Sequence, residues 1–441
     1  MGTHAVELSK MPFHQVAMLF VYFVLAGITW VYGPIGMGVL GRISFADVLM
    51  AIIVGYCFFY ILNRGKIYWS SMFTSAMVLF TMLLLAVFYS QRPMDGFIEW
   101  LVHVFLLVGT IGIYQLLVPL PMDERLRIIK IWMFASAVLG MGIIYDGVSN
   151  LFGLPIMSSY HIPGAAVGTF RNTGQAGTYM GTALALGLPL LSVCKRRDRP
   201  WVALTVLICI LALALTVKRA AMIGFVLGIL LVFLANLHRA EVKRYMALLL
   251  LALAVAQWTA SFLSANSAHY QYRVERKWGT LSEGQLENDW LERHYSAVFE
   301  LIMDRPGLGA GTAGVFHVYA DKEVHSTYLN VLATIGIPGF VVYCFFLASM
   351  VYAIALPRHG DERARRFRAI LIPMLIGLMV SWIYTYHLRK REFWIMVTLA
   401  AAVMAPLPRG SIARPKGAAA MAPFEQTSVF IDTVDWRTKP S

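Results

Sequence analysis

Apolar stretches alternate with short polar connections along almost the whole chain. They lie at about residues 14 to 32, 44 to 62, 69 to 89, 97 to 118, 127 to 145, 174 to 193, 200 to 217, 220 to 237, 245 to 263, 326 to 356, 369 to 386 and 393 to 407. Most are about 18 to 25 residues long, the length at which a helix crosses a hydrocarbon core. The pattern predicts an all-α polytopic membrane protein of about twelve transmembrane helices. The first stretch is too long for a signal peptide and lacks its small-residue cleavage site, so it reads as a retained span. No internal repeat is evident, which argues against an inverted-repeat transporter.

The rhythm divides the chain into spans one to nine (1–263), an extracytoplasmic helical loop domain (264–325), spans ten to twelve (326–407) and a tail (408–441). Within the loop domain, DWLERHYSAVFELIMDRP predicts an amphipathic helix. Leu291, His294, Val298, Leu301 and Ile302 share one face, Arg293, Ser296, Glu300 and Asp304 the other, and Pro306 ends it. The glycine-dense PGLGAGTAG that follows lacks the GxxxxGK[ST] spacing and the preceding strand of a phosphate loop. It reads instead as a tight turn that brings backbone close to a neighbour. The tail, with RGSIARPKGAAAMAP, has no helical period and is read as a disordered cytoplasmic segment.

Composition agrees: 59% of residues are hydrophobic and 14% charged, a combination that no ordinary soluble domain shows. With a cytoplasmic N-terminus, 23 of the 37 Lys and Arg residues fall on the inner side and 14 outside, as the positive-inside rule requires. The net charge of +13 is then mostly a topology signal and does not point to nucleic acid. Of the four cysteines, Cys57, Cys209 and Cys344 fall inside spans and Cys194 at a cytoplasmic helix end. They form neither a disulfide framework nor a CxxC metal spacing.

Candidate chemistry concentrates on the outer side. Lys218 and Arg219 occupy a connection of a few residues, against the charge trend. Arg171 precedes the sixth span, with Asn172 and Gln175 at its entry. HLRKREF places Arg389, Lys390 and Arg391 between the last two spans, and Glu99 and His103 form a polar pair four residues apart. Taken singly, such groups snorkel to headgroups, cap helices or hydrogen bond structurally. Together they make a surface suited to a phosphate or diphosphate. His325, preceded by Glu323, stands at the mouth of the tenth span. Two roles are open to it: a cap or headgroup contact, or a proton-exchanging imidazole near neutral pH. On that span Thr327, Asn330 and Thr334 form a polar stripe, and Gly336 and Gly339 a small-residue seam.

His325, Ser326, Gly336 and Gly339 reproduce an H-S-x9-G-x-x-G spacing that resembles the O-antigen ligase and polymerase superfamily, membrane enzymes that move lipid-linked glycans. GTFRN is similar to that family's GTF-x-N, TVKRAAMIG to its S-R-x-x connection, and the stretch from Arg293 through PGLGAG to its R-x(n)-P-x-x-G-x-G. The resemblance covers about residues 165 to 350. Lys218 stands where serine is more usual, and Arg171 where many relatives have Gly or Ser.

The resemblance implies a GT-C-like glycosyltransferase of the bacterial inner membrane with its active site facing the periplasm. It would be inverting, with no metal and no cofactor. The donor would be a glycan on undecaprenyl diphosphate, and the acceptor a hydroxyl of lipid A core or of a growing glycan. Membrane lipid would be a partner and nucleic acid would not. Arg219 and Arg293, with Arg171 and Lys218 behind them, would hold the diphosphate, and His325 or Glu323 would serve as the base. The leading expectation is a ligase that transfers a completed glycan to lipid A core. A polymerase of the same superfamily is the first alternative, and a small-anion transporter the second.

The charge division is directly testable. Cysteines introduced at Gly284 and Ala313 should react with an impermeant thiol reagent applied to intact cells, and one at Ala418 should not. Labelling of Ala418→Cys would overturn this topology.

Overall fold

The computed structural model describes residues 11–28, 44–64, 66–152, 154–155, 157, 165–236, 240–275, 288–315, 324–356 and 361–406. Fourteen α-helices make up these residues, with no strand among them: α1 (Phe13–Gly27), α2 (Phe45–Arg64), α3 (Ser71–Val87), α4 (Pro93–Leu117), α5 (Met122–Phe152), α6 (Thr173–Val193), α7 (Arg199–Leu215), α8 (Arg219–Ala235), α9 (Ala240–Asn266), α10 (Ala268–Val274), α11 (Asn288–Asp304), α12 (Thr327–Ala355), α13 (Glu362–Ser381) and α14 (Arg391–Met404). Within the described residues each apolar stretch of the sequence overlaps a helix. Among the described residues six helices, α2, α4, α5, α6, α12 and α13, are long and apolar enough to cross a membrane, while α1, α3, α7 and α8 are apolar but shorter. A multi-pass membrane protein follows, and twelve crossings remain an expectation. The predicted tail 408–441 and residues 276–287 and 316–323 of the loop domain lie outside the described residues.

α6 and α14 form the interior. α14 is buried from Glu392 to Met404 and packs on α4, α5, α6 and α12, and α6 is flanked by α5, α7, α8 and α13. At one end of α14 the buried Arg125 guanidinium donates to the carbonyls of Leu120 (2.7 Å), Ala402 (2.7 Å), Ala405 (2.6 Å) and Val118. It thereby supplies donors at the C-terminal ends of α4 and α14, where a helix leaves carbonyls without intrahelical partners.

α8 lies along α13 with the two backbones touching. A Cβ at Gly224 would fall 2.7 Å from the Gly377 carbonyl oxygen, and one at Gly228 would fall 3.0 Å from Met374 Sδ. Gly224-x-x-x-Gly228 is the small-residue spacing that lets helices approach this closely.

α12 is broken at Gly336 (φ 65°, ψ −171°), and PGLGAG repairs the break. Pro338 has no N–H, and Ile337 N donates to the Pro306 carbonyl (2.8 Å) rather than back along the helix. The two carbonyls thus released, Ala333 and Thr334, accept from Ala310 N (2.8 Å) and Gly311 N (3.0 Å). Broken helices in membrane proteins need such outside partners for their freed backbone groups. The glycine-dense segment is therefore the close-approach turn expected from its sequence. It also carries α11, whose buried Val298, Leu301 and Ile302 pack with Ala310, Val315, Val324 and Ala333. Ser296, Glu300 and Asp304 are exposed on the opposite face, as the helical period predicts.

This joint generates a paired prediction. Gly336→Ala adds a Cβ 2.6 Å from the Gly307 carbonyl oxygen, in a backbone region open essentially to glycine alone. It should destabilise the purified protein by about 1–3 kcal/mol in thermal unfolding. Gly307→Ala, whose Cβ meets nothing within 4 Å, should stay within about 0.5 kcal/mol of wild type. Equal melting of the two variants would refute the account of the joint.

Candidate active site

Four helix N-termini converge at one end of the bundle: those of α6, α8, α12 and α14. Each presents backbone N–H groups and the positive end of its dipole. Two of them are capped by side chains, α6 by Asn172 Oδ1 accepting from Gln175 N (2.9 Å) and α12 by Ser326 Oγ accepting from Leu329 N (3.3 Å). The other two begin instead at cations: Lys218 precedes α8 and Lys390 precedes α14, neither making a side-chain cap.

The GTFRN segment is anchored before it enters α6. The buried Asp146 carboxylate accepts from Met157 N (2.7 Å) and Gly168 N (2.6 Å). Gly168 (φ 59°) lies so close to α5 that a Cβ would fall 2.8 Å from Ile143 N, and Thr169 Oγ1 donates to the Gly27 carbonyl (3.1 Å). This grip fixes where α6 starts and leaves Arg171 exposed at its lip.

The turn from α7 into α8 is strained. Val217, buried, has φ 51°, a genuine outlier for a β-branched residue, and such strain gathers at functional sites. The turn lays Lys218 across the glycine face of α6, where a Cβ at Gly177 would stand 2.7 Å from Lys218 Cβ and one at Gly174 would stand 3.8 Å from its Nζ. Arg219 follows, half-buried, as the first residue of α8.

His325 is exposed on the turn before α12, between buried Val324 and Ser326. Two residues on, Thr327 Oγ1 donates to the Thr385 carbonyl (2.6 Å) and accepts from His387 N (3.1 Å). The 385–390 connector between α13 and α14 thereby links His325's turn to the Lys218 side of the site, because Lys390 Nζ donates to Thr178 Oγ1 (3.2 Å) on α6. Arg293 belongs to α11, but its side chain, like Glu323 altogether, lies outside the described residues.

Two cations of that connector, Arg389 and Lys390, and Arg391 at the start of α14 act as tethers to three helices. Arg391 makes a two-pronged pair with Asp47 on α2 (2.6 and 3.0 Å), and Arg389 reaches Glu99 on α4 (3.7 Å) while its guanidinium lies 5.9 Å from the Tyr386 ring. Lys390 is the α6 tether, with Glu392 beside it. The broad cationic surface read from the sequence is thus narrowed, because Arg389 and Arg391 face carboxylates. The expected Glu99 and His103 pair is also rearranged. His103 Nδ1 donates to the Glu99 backbone carbonyl (2.7 Å), which leaves Nε2 to accept from the Tyr386 hydroxyl (3.2 Å).

Sequence reasoning missed His387. Its ring is 2% exposed, tilted on Trp382 at 5.2 Å, and neither ring nitrogen has a hydrogen-bond partner among the described residues. Burial, with Lys390 and Lys218 nearby, disfavours its protonated form. At neutral pH it therefore offers one N–H and one lone pair. Gln175 Oε1 and Thr385 Oγ1 are likewise buried and unpartnered there. The available signal was a histidine two residues ahead of a cationic triplet.

Residues 204–344 match the family model described as O-antigen ligase. This segment is similar to the O-antigen ligase family. No curated protein matches the chain. The matched segment takes in Lys218, Arg219, Arg293, Glu323, His325, Gly336 and Gly339. The GTF anchor and the 385–390 connector lie beyond it in sequence yet meet it in space.

Proposed function

We propose that the protein transfers a glycan from undecaprenyl diphosphate to an acceptor sugar hydroxyl, as an O-antigen ligase acting on lipid A core at the periplasmic face of the inner membrane. The observation that carries this reading is the placement of Lys218 and Arg219, in a strained turn of the matched segment, among four helix N-termini. Such preorganised positive charge stabilises a leaving group that becomes more anionic in the transition state.

In the proposed reaction the acceptor oxygen attacks the anomeric carbon from the face opposite the diphosphate. The bond from that carbon to the phosphate oxygen breaks, and lipid diphosphate departs with the electron pair, which inverts the configuration. The acceptor's proton passes to His325, which is exposed on its turn, or to Glu323. Arg219 and Arg293 hold the diphosphate, supported by Lys218 and Arg171.

Two measurements test the reading. Deleting the gene should leave lipopolysaccharide core without long glycan while long chains remain on the carrier lipid. A core capped with a single repeat would indicate a polymerase, and an unchanged pattern would contradict both. With purified protein, His325→Asn, which cannot accept a proton near neutral pH, should slow transfer by roughly 10² to 10⁴. Wild-type turnover by this variant would remove His325 from the proton transfer.

A further inference from the structure

The 385–390 connector is well satisfied along its backbone. The Thr385 carbonyl accepts from Thr327 Oγ1, His387 N donates to Thr327 Oγ1, the His387 carbonyl accepts from Lys390 N, and the Leu388 carbonyl accepts from Trp394 Nε1. Against that background the His387 ring is an exception, with two buried polar atoms that no described residue matches. Leaving such groups unpaired is costly, whereas an apolar residue of the same shape would remove the cost. Phenylalanine would keep the ring contacts with Trp382 (5.2 Å) and Phe393 (6.5 Å). A chain that keeps a histidine here keeps hydrogen-bonding capacity at the expense of stability.

The surroundings identify what that capacity suits. Lys218 and Lys390 are the charged groups acting on the ring. Lys218 comes from the α7–α8 turn and Lys390 from the connector itself, with Glu392 offsetting part of the charge beside Lys390. Both lysines lie on the same stretch of α6, Lys218 against Gly177 and Lys390 Nζ on Thr178 Oγ1, and a neutral imidazole on that connector can donate its N–H to an anionic oxygen that the lysines hold. We propose that His387 is a substrate-contacting residue that donates a hydrogen bond to a phosphoryl oxygen of the prenyl diphosphate, in a buried subsite shared with Lys218 and Lys390. This deepens the proposed glycan transfer and rests on it for the lipid. The subsite draws on residues beyond the matched segment, so the last two helices contribute to donor recognition as well as to packing.

The test is calorimetric titration of the purified full-length protein and its His387→Phe and His387→Asn variants with farnesyl diphosphate and with inorganic diphosphate, alongside thermal unfolding. His387→Phe should melt at or above the wild-type temperature yet bind farnesyl diphosphate about tenfold or more weakly, the loss expected for one hydrogen bond to a charged group. His387→Asn, which keeps an N–H donor, should recover part of the affinity. Wild-type affinity in His387→Phe would overturn the inference while leaving the glycan-transfer reading intact. If both ligands bind wild type equally and both weaken in His387→Phe, the phosphate subsite stands and the lipid-linked donor falls. Failure of wild type to bind either ligand would overturn both.

Discussion

The site depends on how a stretch of buried, non-helical backbone is held between two helices. Residues 385–390 leave α13, run past the start of α12 and enter α14 through the bundle interior. Their polar backbone groups cannot be left unmatched. Thr327, Trp394 and the local turn to Lys390 match several of them. Arg389, Lys390 and Arg391 then fasten the segment to α4, α6 and α2 in turn. With α14 gripped at its far end by Arg125, the connector has little freedom. It can hold a buried imidazole and an ammonium in fixed relation to the α6 and α8 N-termini.

A second constraint sets the other wall. The glycine contact between α8 and α13 links the Lys218–Arg219 turn to the helix from which the connector departs. The broken α12 links α11 to the His325 turn through the backbone bonds of PGLGAG. The spacings by which this segment resembles the O-antigen ligase superfamily thus have a mechanical meaning. Pro306, Gly309, Gly311 and Gly336 are two halves of one joint, and the chemistry is assigned to side chains beside it.

The helices were legible because apolar runs of membrane length leave few alternatives, and the amphipathic face of α11 was legible from its period. The close-approach role of PGLGAG followed from the absence of phosphate-loop spacing, but its target did not, since the freed carbonyls of α12 come from Pro338 and Gly336 about 30 residues away. Local charge density pointed to Arg389, Lys390 and Arg391. It could not reveal that Asp47, more than 300 residues earlier, would take up Arg391. His387 was hidden for a related reason: its significance lies in what fails to reach it, a property that only packing displays. The Gly224-x-x-x-Gly228 seam was readable from spacing alone, although its partner Gly377 was not.

The central claim is that diphosphate is held where the α8 turn meets the connector. Electron cryomicroscopy of the protein with bound undecaprenyl diphosphate tests it most directly. The account predicts phosphate density within hydrogen-bonding distance of Lys218 Nζ and the first backbone N–H groups of α8, with the prenyl chain leaving toward the lipid. Phosphate density at the opposite end of the bundle, near the Lys130 and Asp198 ion pair, with none beside Lys218, would contradict it.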